Sequence, residues 1–417
     1  MLLVAPRLEI ASWRMTDSDR AAFRGAAAAR DLAVMLRVHP RKMATPSRTL
    51  DGPDGPRFVT GGAFHQDLKR AVDRYFLQTG RSPRANGRMW LKTAVMITWA
   101  IASYLLVLIG DFAVWQRVFL AGSLGLAMAG IGFGVMHDAN HGSYAGGRRA
   151  NRVLGFTLDL VGGSSYLWRH KHNVLHHTYT NVTPLDTDVS GNALLRFSPD
   201  ARHHPVMRFQ HLYVWALYSV YPLGWWLVDD FQRLVTRRIG ANALPRPTAG
   251  DVAVLLLGKA LFLGWAVVIP LTVHPAWHVL PFAAIATAVL GVTLAVTFQL
   301  AHCVDGAAFH DARAGMPVRD WATHQVTTTV DFARGNRVLG WYLGGLNFQI
   351  EHHLFPKVCH VHYPAISRIV EETCAKHGVH YTAHRSLRAA LAANVRWLRT
   401  LGAGGPLSPL LAASAAE

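Results

Sequence analysis

Three groups of histidines carry the clearest chemical signal in the chain. They are His137-Asp-Ala-Asn-His141, His172-Asn-Val-Leu-His176-His177 and Gln349-Ile-Glu-His352-His353. On a helix, residues i and i+4 share a face, so His137 and His141 aim at one spot, as do His172 and His176. His177 adds a neighbouring donor, and His302 offers a further one. A lone pair of this kind is more often a surface or core feature than a metal site. Seven imidazoles in three groups, eight with His302, exceed the needs of one metal ion and suit two. Imidazole serves iron, zinc, copper and nickel alike. A zinc-protease helix would carry His-Glu-x-x-His, which the sequence lacks.

The elements that must position these groups are apolar. Of 417 residues, 51% are hydrophobic and only 16% charged, against roughly a quarter charged in soluble domains. Four stretches are expected to cross a membrane: 93–110, 118–136, 252–273 and 278–301, each near the roughly 20 residues that a crossing needs. They form two hairpins whose short turns, 111–115 and 274–277, contain no Lys or Arg. The segments before, between and after the hairpins are basic, within a net charge of +17. The positive-inside rule puts those segments, both termini and every histidine group in the cytoplasm. The apolar, aromatic stretch 212–228 contains Pro222 and is expected to lie at the interface. The expected fold is an all-α integral membrane protein with four spans and a cytoplasmic helical cap that carries a two-metal site.

The remaining chain is read in the same way. Residues 1–56 form a basic arm with no apolar signal segment, expected to be disordered. Residues 57–385 form the membrane domain, and 386–417 a C-terminal helix and disordered tail. Phe64, Leu68, Val72 and Phe76 repeat every four residues, which predicts an amphipathic helix on the membrane surface. Three cysteines in no CxxC pair give no disulfide framework. No nucleic-acid-binding signature accompanies the basic charge.

Ligating histidines usually donate their second ring N–H to a carboxylate or carbonyl. Asp138, Asp186, Asp188 and Glu351 are candidates for that role, with Asn347, Asn173 and His170 as further supports. His324 is a weaker one. His203, His204, His310, His360, His362, His377, His380 and His384 read as surface residues. Trp168 and Tyr166 are candidates for the wall of a substrate channel.

The motifs HDANHG, KHNVLHHTYTN and GGLNFQIEHHLFP resemble the three histidine boxes of the membrane fatty-acid desaturase superfamily. The resemblance covers about residues 57–385. The Gln that opens the third box is similar to that of front-end and bacterial linoleoyl-CoA desaturase-like members. The resemblance implies two iron ions held by His137, His141, His172, His176, His177, His302, His352 and His353, with Gln349 as a weak or water-mediated ligand. It implies O₂ as co-substrate, a fatty-acyl chain on CoA or lipid as substrate, and a cis double bond as product. Many eukaryotic front-end members carry a fused haem domain marked by His-Pro-Gly-Gly. Here His39-Pro40-Arg41-Lys42 keeps only the first two residues, so a separate ferredoxin or cytochrome is the expected electron donor. A basic face suits an acidic donor. The same boxes also fit an acyl, alkane or carotenoid hydroxylase, and, from another class, a non-catalytic metal-binding membrane protein.

Overall fold

The structure is a computed structural model that describes residues 48–50, 58–314 and 319–404. Most of the basic arm and the tail from 405 lie outside the described residues. The helices that matter for the site run in this order: α1 Ala63–Thr79, α2 Gly87–Ile109, α3 Val114–His141, α4 Arg169–His176, α5 Gln210–Gly224, α6 Ala249–Val273, α7 Ala276–His302, α8 Trp321–Thr328, α9 Gln349–Leu354, α10 Tyr363–His377 and α11 Leu387–Ala403.

Four of these, α2, α3, α6 and α7, are long and apolar enough to cross a bilayer. Each starts before its expected bound. Asn86 caps α2 by accepting from the backbone N–H of Met89. Lys92, the charge just before the expected start at 93, sits inside the second turn instead, with Arg88 in the first. Thr248 and Asp251 form a reciprocal capping box that starts α6 at 249. The second span does not stop at 136; it runs on through the first histidine group. The stretch 212–228 is not among the four. It forms α5, continues through Trp225–Asp229 into Asp230–Thr236, and lies across α7.

Both hairpin turns lie at the same end of the bundle: the His274 ring bonds the carbonyl of Leu108 at 2.6 Å. Small residues allow the helices to close. A Cβ on Gly125 would stand 2.4 Å from the carbonyl of Ala286, and one on Gly291 2.2 Å from the carbonyl of Tyr218. Lys259, the charge inside the third span, is buried against Asp230 at 2.8 Å and the Gly162 carbonyl at 2.7 Å. The outer faces of the spans present Leu91, Ile109, Phe119 and Leu257, and Trp115 and Trp277 stand by the turns. This is the apolar band with aromatic edges of a lipid-facing surface.

At the other end lies the cap. The stripe Phe64, Leu68, Val72 and Phe76 of α1 packs on Ala322 and Val326 of α8, Ile350 of α9, and Ile366 and Val370 of α10. That corrects the membrane-surface expectation: the apolar face of α1 is used inside the protein. Short parallel strand pairs, Val182–Thr183 with His310–Asp311 and Asp331–Phe332 with Ala383–His384, pin the loops that join the cap to the spans.

Candidate metal centre

Local helix geometry brings the first two boxes together. A π-turn, Gly132–Met136, precedes His137, and one α-turn then carries His137 and His141. The second box lies in a π-helix, α4, whose last bond runs from the His177 N–H to the His172 carbonyl at 3.0 Å. A turn closed at i+5 is wider than an α-turn. It lets both His176 and His177 flank His172, with ring centroids 5.2 and 4.8 Å from it. Such π-segments recur at functional sites.

The third box and His302 complete two groups. Ring nitrogens of His137, His141, His172 and His352 all lie within 4.8 Å of one another, as do those of His176, His302 and His353. His177 forms a third such set with His352 and His353, and so joins the two. All nine predicted ligands therefore converge: the Gln349 amide is 2.9 Å from His302 Nε2 and 3.5 Å from His353 Nε2.

The donor set fits metal ions. His176 Nδ1 meets Asp186 at 2.9 Å, His353 Nδ1 meets the Gln325 amide oxygen at 2.8 Å, and His352 Nδ1 meets the Tyr363 hydroxyl at 3.3 Å. Anchored on the outer nitrogen, each ring turns the other one inward. Nε2 of His141, His176 and His352, and Oε1 of Gln349, are buried with no hydrogen-bond partner among the described residues. Orphans of this kind are rare in folded proteins and call for an explanation such as an ion. The Nε2 atoms of His172 and His177 stand 3.3 Å apart, where two lone pairs repel unless a proton or cation lies between them. Burial, reinforced by the neighbouring rings, holds His172, His177, His352 and His353 well below the usual imidazole pKa. They are neutral, the form that binds metal.

Comparison with known proteins gives the family. The family model for fatty acid desaturases matches residues 113–385. An sn-1 linoleoyl-lipid 6-desaturase of Arthrospira platensis is 38% identical over 339 residues, 81% of this chain and 92% of that protein. The protein of the same name from a Synechocystis strain is 37% identical over 83% of this chain and 97% of its own. An acyl-lipid (8-3)-desaturase of Physcomitrium patens is 36% identical over 81% and 72%. The chain belongs to the fatty acid desaturase family.

Several supporting residues expected from the sequence have other partners in this desaturase. Asp186 holds a ring as expected. Asp138 instead bonds His360 at 2.9 Å, with its other oxygen 3.9 Å from His137 Nδ1. Asp188 pairs with Lys171. His170 turns from the cluster to the backbone of Ala243. The Asn347 amide donates to the Phe332 carbonyl. Glu351 lies on the far side of α9 from the ligands, beside Asp331, and both accept from or approach the Tyr381 hydroxyl, at 3.0 and 2.6 Å. Burial pushes both carboxyls up, Glu351 further because of the charge of Asp331. Asn173 donates to the Asn140 carbonyl and so ties the second box to the first. Trp168 stacks on His172 at 4.4 Å, whereas the Tyr166 hydroxyl bonds Pro245. His310, His360 and His362, read as surface residues, are buried. The His324 ring lies 5.4 Å from that of His310 and 4.7 Å from that of Phe58, tilted against both.

Gln325 was not foreseen. Its Oε1 fixes His353, its Nε2 donates to the His177 carbonyl at 3.2 Å, and Thr180 adds a bond at 2.9 Å. One amide thus orients the third box and ties it to the second. Gln325→Leu is expected to lower desaturation about 10- to 100-fold at unchanged protein yield, measured as product per chain. Gln325→Glu keeps an acceptor for the ring and loses less.

Proposed function

We propose that this desaturase is oxygen-dependent and holds two iron ions. His137, His141, His172 and His352 take one, His176, His302 and His353 the other, with His177 between them and Gln349 as a weaker ligand. The observation that carries the reading is the pairing, in His176 and His352, of an anchored outer nitrogen with an orphaned inner one. When bound, iron with O₂ would supply the oxidising power to take two hydrogens from adjacent methylenes, which no side chain has.

The protein's own part is to bind, orient and exclude water. Trp168 covers the first group by stacking on His172 and standing edge-on to His137 and His141, at 5.5 Å from each. Phe298 stacks on His302 at 4.5 Å and lies 5.3 Å from His176. These rings suit an acyl chain and leave little room for water. The relatives' names support an acyl-lipid substrate and a double bond introduced toward the carboxyl end. The basic segments on the cap side support a cytoplasmic site, fed by a separate ferredoxin or cytochrome.

Expression in a host that makes no polyunsaturated acids tests this reading. Saturated, monounsaturated and linoleoyl substrates are fed, and the fatty acids profiled by mass spectrometry. New cis double bonds that require air are expected. An unchanged profile in cells that hold folded, iron-loaded protein and a competent donor would refute it.

Acid should release the metal. Four of the proposed ligand rings, His172, His177, His352 and His353, titrate below the ordinary 6.5 when folded and near it when unfolded. The unfolded chain therefore takes up more protons as pH falls through that value, and stability falls with it. Iron content and melting temperature are both expected to hold from pH 8 to about 7 and to drop below about 6.5.

A further inference from the structure

Lys92 and Asp138 are charged, and each is only 2% exposed. They lie in the first turns of α2 and the last turn of α3, and His360, from the loop before α10, stands between them. Lys92 Nζ is 3.0 Å from His360 Nε2. An ammonium only donates, so Nε2 holds the lone pair and Nδ1 the proton. That Nδ1 donates to Asp138 Oδ2 at 2.9 Å, and the backbone N–H of His360 donates to the same oxygen at 3.2 Å. Asp138 Oδ1 is left 3.9 Å from Nδ1 of His137.

The backbone makes room for this arrangement at two points. A Cβ on Gly134, within the π-turn, would lie 2.7 Å from Lys92 Cε and 2.8 Å from its Nζ. Gly345, at φ +70, admits His360; a Cβ there would stand 2.8 Å from the His360 Cβ. A buried lysine in a membrane span is costly and usually functional. The two halves of the site are also served differently: His176 bonds its carboxylate directly at 2.9 Å, whereas the carboxylate beside His137 stands 3.9 Å from its Nδ1 and is held from behind by His360.

We propose that Lys92, His360 and Asp138 form a positioning relay for His137 and set the electrostatics on its side of the metal site. The inference rests on the two-iron reading. Lys92 fixes the tautomer of His360, and His360 holds the Asp138 carboxylate aimed through its Nδ1–H and its backbone N–H. Asp138 in turn favours the proton on His137 Nδ1, which leaves its Nε2 for the metal. Without Lys92, His360 can take the other tautomer and Asp138 is left as a buried charge with less compensation.

The test is iron per chain in the purified, full-length, iron-loaded protein across a series of chelator concentrations, with melting temperature alongside. In Lys92→Met one iron is expected to leave at a chelator concentration about tenfold or more below the wild-type value, while the second stays. His360→Leu should behave the same way. His360→Gln, whose amide can accept from Lys92 and donate to Asp138, should stay near wild type. If Lys92→Met does not fold, the Leu and Gln variants of His360 decide the question with the same readout. Variants that melt lower yet release both irons at the wild-type concentration would overturn the proposal, because the three residues would then be a structural staple alone. A wild-type chain that holds fewer than two irons would overturn the two-iron reading and the relay with it.

Discussion

His176→Ala is expected to abolish desaturation, returning the fatty-acid profile of the expressing cells to that of the host alone. His176, of the second box, is in contact with the His172, His177, His302 and His353 rings. Its removal takes away an inward nitrogen and also deprives Asp186 of its ring partner. The carboxylate keeps the backbone N–H groups of Asn181 and Asp188, so the loop retains its anchor and the chain should still fold. Iron analysis of the purified variant separates the two effects. Metal loss with a normal elution profile is the expected result; full iron content with no activity would assign His176 a different role.

The second large effect is on stability. Asn181 is fully buried at φ +55, and its amide lies 3.0 to 3.1 Å from the carbonyls of His302, Ala308 and Thr328. One side chain thus ties the second box to the end of α7 and to α8. Asn181→Ala leaves those buried carbonyls without their donor and forces alanine into the left-handed region. Together these cost about 4 kcal/mol. Asn181→Gly relieves the backbone but not the lost bonds, and should recover about 1 kcal/mol. Thermal melting of the solubilised protein checks both. Equal melting of the Ala variant and the wild type would show that water replaces the amide.

The histidine cluster was legible in the sequence because metal binding needs several lone pairs on one face, and the spacing of His137 with His141 and of His172 with His176 suits that need. The spans were legible for a similar reason, since hydrocarbon excludes charge over a fixed length. The supporting shell was not. Asp138 and His360 are 222 residues apart, and nothing local marks them as partners. His360 stands in a short stretch between Pro356 and Pro364, with no histidine at i+4, that reads as surface. Gln325 is one amide in a polar run, and its role follows only from where α8 meets α9. Glu351 is adjacent to two ligands in sequence, yet a helix puts neighbours on different faces, so it serves Asp331 and Tyr381. The i+5 closure of α4 was also hidden. It determines how both His176 and His177 reach the cluster, and the surrounding contacts select it.

The most direct test of the account is the mass of the acyl product from purified, iron-loaded, chemically reduced protein given acyl-lipid substrate and a single pulse of O₂. A product two hydrogens lighter than the substrate, formed only with O₂, is the predicted result. A product heavier by one oxygen atom, or unaltered substrate from protein that holds its iron, would contradict it.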